Sequence, residues 1–121
     1  VSLVLLLVAA RAGASGPPES DASRAARVIR AEFGAGWLGG CMLAIAGRES
    51  AFNPRAANWT DVHSDGSRGS FGLFQIGAVH RRAGESPHSF ARRMFDAAAN
   101  ARLAHVLYRV AGLGPWGGYC R

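Results

Sequence analysis

The sequence predicts an α+β domain that is mostly α, with a small β-hairpin or loop beside one of its helices. Three observations carry that prediction. Three segments hold apolar residues at helical spacing between capping and stopping residues. Residues 58–70, "NWTDVHSDGSRGS", instead contain three Gly/Ser/Asp-rich turns and no sustained period. At 121 residues the chain is one domain at most.

The chain opens with an uninterrupted apolar block from Leu3 to Ala10, followed by small-residue cleavage signals at Ala10-Arg11-Ala12 and Ala12-Gly13-Ala14. The block is too short to span a bilayer and fits the apolar core of a secretory signal peptide over 1–14, although nothing basic precedes it. A buried N-terminal helix is the other reading, and the small and Pro-rich flanks count against it. "SGPPESDAS" follows as a linker. Residues 22–33, "ASRAARVIRAEF", form a short amphipathic helix capped by Asp21 or Ser20, so 15–35 read as linker plus N-terminal helix and 36–121 as the main domain.

After Gly34, Gly36, Gly39 and Gly40 the next helix runs from about Leu38 to Ser50, with Leu38, Cys41, Met42 and Ile45 on one face. Continuing the step of about 100° per residue carries Glu49 into that stripe and Arg48 to its flank. An inward glutamate at a helix C-terminus is unusual, because the macrodipole disfavours negative charge there and partial burial disfavours the charged form. Both suit a general acid, which must hold its proton near neutral pH. The alternative is that Glu49 pairs with an arginine and only holds the fold.

Asn53-Pro54 ends that helix, and Asp65-Gly66 is a turn signal in the stretch beyond it. "FGLFQI" (71–76) is apolar except for Gln75, an amide that either bonds within the core or faces a cleft. In the last helix Asp96 is the cap, Ala99, Leu103, Val106, Leu107 and Val110 make the stripe, and Gly112 is the stop. Asn100, at the edge of that stripe, is expected to play a structural role by bonding a neighbouring loop.

Cys41 and Cys120 lie near opposite ends of the folded region, and an exported chain permits a disulfide between them. Closing so long a loop stabilises by roughly 4–5 kcal/mol in the chain-entropy model. Two unpaired thiols are the alternative; a CxxC site fails on spacing. The formal net charge is +6, and every basic residue is arginine. Such a protein is drawn to anionic surfaces, but no arginine cluster interleaved with aromatics points to nucleic acid.

Several constellations lack a positive signal. Asp61-Val62-His63-Ser64-Asp65-Gly66 begins like a calcium loop, but its third position is His63 and its twelfth is Gly72. His63, His80, His88 and His105 include no HExxH pair, and no GxSxG marks a nucleophile elbow. No metal and no cofactor are expected.

Taken in order, "RESAFNPRAAN" and "GSFGLFQI" resemble the lysozyme superfamily, in particular the soluble lytic transglycosylase (SLT) domain family. That family carries Glu-Ser at a helix end, then a loop, then Gly-Leu-Met-Gln. Here the matching residues are Glu49-Ser50 and Gly72-Leu73-Phe74-Gln75, with Phe in place of Met. "MFDAAANARLAHVLY" is similar to a later family segment, and "NWTD" with "GPWGGY" is similar to the actinobacterial and phage branch. The resemblance spans roughly residues 36 to 119.

It implies a lysozyme-like fold and a peptidoglycan-cleaving enzyme with Glu49 as its catalytic acid. Ser50 and Gln75 would orient the sugar amide, Tyr119 (or Tyr108) would stand for the family's active-site tyrosine, and Trp59 and Trp116 would offer stacking faces. Animal-type lysozyme is also similar, but its aspartate position is Ser70 here; the nearest carboxylates are Asp61 and Asp65. A retaining hydrolase needs a second carboxylate about 5 Å from the acid and an inverting one a more distant base. With one carboxyl, the resemblance implies a lytic transglycosylase leaving 1,6-anhydro-MurNAc ends on peptidoglycan glycan strands. The alternatives are a hydrolytic lysozyme (muramidase) or a non-catalytic wall-binding protein of the same fold. The expected protein is a secreted or cell-wall-associated monomer, without stable membrane insertion after signal cleavage and without nucleic acid as a partner.

Overall fold

The computed structural model describes residues 16–121, so the signal segment expected over 1–14 lies outside the described residues. The fold is mixed α+β and mostly helical, as the sequence predicts, with a small antiparallel sheet of three strands.

Helix α1 (Asp21–Phe33) is capped by Ser20, whose side chain accepts from the Ser23 N–H. Ala25, Ile29 and Phe33 recur every four residues and form its buried face. Helix α2 (Trp37–Ser50) follows after a tight glycine turn. There a Cβ on Gly39 would lie 1.7 Å from the Gly34 carbonyl oxygen, so only glycine permits this approach. Cys41, Met42 and Ile45 are buried, in line with the predicted stripe.

Strand β1 (Ala57–Val62) and strand β2 (Arg68–Phe71) pair antiparallel around the Asp65-Gly66 turn, with a register irregularity between Asn58 and Val62. The predicted hairpin gains a third partner that its alternation does not announce. The two-residue strand β3 (Ile76–Gly77) pairs with β2 after a turn through Gly72 and Gln75.

Helix α3 (Pro87–Met94) has no counterpart in the sequence reading, although Ser86-Pro87 supplies both an N-cap and a favoured first-turn proline. Helix α4 (Ala97–Ala111) begins at the Asp96 cap and ends at Gly112, as the sequence predicts. Its buried face differs in part: Ala99, Leu103 and Leu107 of the predicted stripe are half-buried against the core. Asn100, Ala101 and Ala104 are fully buried, while Val110 is 82% exposed and Val106 44% exposed. Helix α1 packs against α4, and the fully buried α4 positions are two alanines and one amide rather than the large aliphatics. Across it the His105 imidazole meets Glu32 at 2.8 Å and stacks near Phe33.

One core cluster joins the helices to the sheet through Phe71, Leu73, Phe74, Phe90 and Met94. Cys41 and Cys120 form the expected disulfide, tying α2 to the C-terminal segment. Among the described residues, no helix is long and apolar enough to cross a membrane.

Candidate active site

Glu49 occupies the last turn of α2 and opens onto a cleft of about 330 Å³ between that helix end and the sheet. Leu107 of α4 and the C-terminal Pro115 and Trp116 complete the wall on the Glu49 side. Asp61, His63, Ser70 and His80 face it from the sheet side, and Phe74 and Gln75 come from the turn between β2 and β3.

Asn100 holds that turn. Its Oδ1 accepts from the Phe74 N–H at 3.0 Å, and its Nδ2 donates to the carbonyls of Phe71 and Met94 at 2.9 and 3.1 Å. Gly72 makes room for it: at φ +78, a Cβ would sit 2.2 Å from Asn100 Nδ2. Gln75 then adopts φ +49, an uncommon conformation for a non-glycine residue. Its Nε2 donates to the carbonyls of Ala56 and Gly72. Both partners are acceptors, so the nitrogen must face them, and Oε1 is the atom left for a ligand N–H.

The Glu49 side chain is 30% exposed, and Arg48 Nη2 lies 3.4 Å from its Oε1. Cleft lining and arginine pairing therefore coexist at this residue, although the sequence reading set them against each other. The pair is partly solvated, so its direct stabilisation is small.

The nearest carboxylates separate cleanly. Asp61 lines the cleft and accepts from Asn58 Nδ2 at 3.1 Å; the Asn58 Oδ1 in turn accepts from the N–H and hydroxyl of Thr60. Asp65 lies outside it, where bonds from the hydroxyl and N–H of Ser67, and then Arg81, hold its carboxyl down at about 2.

Two imidazoles share the sheet-side wall. His63 Nε2 is 2.7 Å from the Gly69 carbonyl oxygen and 3.5 Å from Ser70 Oγ. A carbonyl only accepts, so Nε2 carries the hydrogen and cannot serve as a base for Ser70. That geometry excludes Ser70 and His63 as a nucleophile–base pair. Burial, and then the neighbouring His63, pushes the His80 imidazole below its usual range.

Of the other sequence-predicted residues, Ser50, Trp59 and Tyr119 fall outside the cleft and Trp116 lines it. Ser50 is buried and its hydroxyl donates back to the Ala46 carbonyl at 2.9 Å. Trp59, 41% exposed, packs on Phe71 and His88. Tyr119 is 56% exposed, with the Arg48 guanidinium 4.6 Å over its ring. Trp116 is buried, lines the cleft and donates its indole N–H to the Phe74 carbonyl at 3.0 Å. Sequence reasoning passed over His63 and His80 as isolated histidines.

Among the described residues, no group of three or more His, Cys, Asp or Glu side chains is arranged to hold a metal ion. Compared with protein-family models, curated proteins and solved structures, the chain matches none.

Proposed function

We propose that the protein cleaves peptidoglycan glycan strands as a lytic transglycosylase, with Glu49 as the catalytic acid. The observation that carries this reading is the opening of Glu49 onto a cleft beside a Gln75 amide whose oxygen has no hydrogen-bond partner among the described residues. Glu49 donates its proton to the glycosidic oxygen between MurNAc and GlcNAc, and the C1–O bond breaks with the electron pair leaving on that oxygen. The MurNAc N-acetyl oxygen supports C1. Glu49, now a carboxylate, takes the proton of the same sugar's C6 hydroxyl as O6 bonds to C1. The product is a 1,6-anhydro-MurNAc end, and water is not consumed. Gln75 Oε1 accepts the N-acetyl N–H and orients the ring, while Trp116 and Pro115 offer the wall beside it.

A second reading is hydrolysis, favoured by Asp61 in the same cleft. In that reading Asp61 would be the base that activates a water on the opposite sugar face. The two readings separate by product: Asp61→Asn leaves anhydro ends forming in the first and abolishes reducing ends in the second. We place the protein outside the cytoplasm on the strength of the Cys41–Cys120 disulfide, a bond that persists in oxidising compartments.

A further inference from the structure

Arg48 stands next to Glu49 in sequence, but most of its bonds reach 68 to 73 residues along the chain. Its Nη2 donates to the Trp116 carbonyl at 2.6 Å and its Nη1 to the Tyr119 carbonyl at 3.2 Å, with the Arg121 carbonyl also in contact. The guanidinium carbon lies 4.6 Å from the Tyr119 ring centroid, and Nη2 remains 3.4 Å from Glu49 Oε1. Trp116 is the residue whose indole closes the cleft and bonds the Phe74 carbonyl, next to Gln75.

We infer that Arg48 is a positioning residue for this site: one guanidinium docks the Trp116 wall onto the end of α2 and holds it in register with Glu49. The chemistry requires arginine. A planar fork with five N–H donors can address two backbone carbonyls and a carboxylate while stacking on a ring. An ammonium is a compact point charge and reaches fewer of these at once. The disulfide ties this segment to α2 at Cys120, and the fork adds a second tie at the Trp116 and Tyr119 carbonyls, nearer the cleft. The same cation also faces the carboxylate that remains once Glu49 has given up its proton, so it stabilises charge as that charge develops.

The kinetic half of this inference rests on the proposed function; the anchoring half does not. Both are read from Arg48→Lys and Arg48→Gln in the full chain with the disulfide intact. The first readout is hydrogen exchange of the Trp116 indole N–H by NMR, and the second is kcat and KM on purified peptidoglycan. Losing charge-assisted bonds of this kind predicts indole exchange faster by about tenfold in both variants. It also predicts a raised KM, because the substrate wall moves, whereas loss of folded protein alone would lower apparent kcat and leave KM in place. Arg48→Lys retains the charge and is expected to keep more of kcat than Arg48→Gln. Wild-type exchange and an unchanged KM in both variants overturn the inference. If the wild-type protein cleaves no glycan, the proposed function fails, and the indole readout alone decides whether Arg48 anchors the wall.

Discussion

Glu49 and Asn100 bracket what a single residue decides in this molecule. Asn100 is fully buried and serves three backbone groups of the turn that presents Gln75. Asn100→Leu leaves those groups unpaired, and each buried unpaired group costs about 1–3 kcal/mol. Urea denaturation of the variant is expected to show a loss of several kcal/mol at unchanged m-value. The role of Asn100 was legible in the sequence, because an amide at the edge of an apolar stripe must find partners. The placement of Ser50 was not. A serine in the last helical turn can face a ligand or bond back to the carbonyl four residues earlier, and sequence spacing is the same for both. Glu49 was legible in direction, but its arginine partner comes from the adjacent residue, which helical periodicity sets on the flank.

At the scale of elements, the hairpin and the bounds of α1, α2 and α4 follow from caps, glycines and turns that act locally. The buried face of α4 does not, since it depends on how the helix is seated against its tertiary neighbours, which bury Ala101 and Ala104 and leave Val106 and Val110 exposed. The turn between β2 and β3 tolerates no side chain at residue 72. Gly72→Ala would drive a Cβ to 2.3 Å from the Met94 carbonyl oxygen at φ +78. It is expected to destabilise by about 2 kcal/mol or more, combining left-handed backbone strain with steric overlap; the thermal midpoint checks this.

The loop before α3 carries a pH signature of its own. Bidentate bonds from Arg93 at 2.8 and 3.0 Å, helped by the Arg82 N–H, hold the Glu85 carboxyl down at about 2. The folded state therefore binds fewer protons than the unfolded chain between the ordinary glutamate range and that value. Its contribution is present above about pH 4.5 and lost as the pH falls towards 2. Glu85→Gln is expected to melt below wild type at pH 7, with the gap closing by about pH 2.

Across the whole molecule, the Cys41–Cys120 disulfide closes a loop of 79 residues in sequence separation. In the chain-entropy model this constrains the unfolded state by roughly 4–5 kcal/mol, a large share of the stability of so small a domain. Replacing both cysteines by serine is expected to lower denaturant stability by about that amount. The pairing was legible because two cysteines near opposite ends of the folded region allow one intramolecular bridge. What the bridge secures was not: it fastens the segment carrying Trp116 to the helix carrying Glu49, and so supports both walls of one cleft. The cleft itself also lay beyond sequence reasoning, because Asp61, His63 and His80 join Glu49 only when the sheet packs beside the end of α2.

The central claim is that Glu49 in this cleft breaks a glycan bond without water. Purified peptidoglycan digested with the wild-type protein, and in parallel with Glu49→Gln, tests it by mass spectrometry of the released muropeptides. Anhydro-muramyl ends from the wild type and none from Glu49→Gln are the predicted result. Reducing ends that vanish in Glu49→Gln would contradict transglycosylation and transfer the mechanism to the Glu49–Asp61 pair. An intact glycan after wild-type digestion would contradict the enzyme itself.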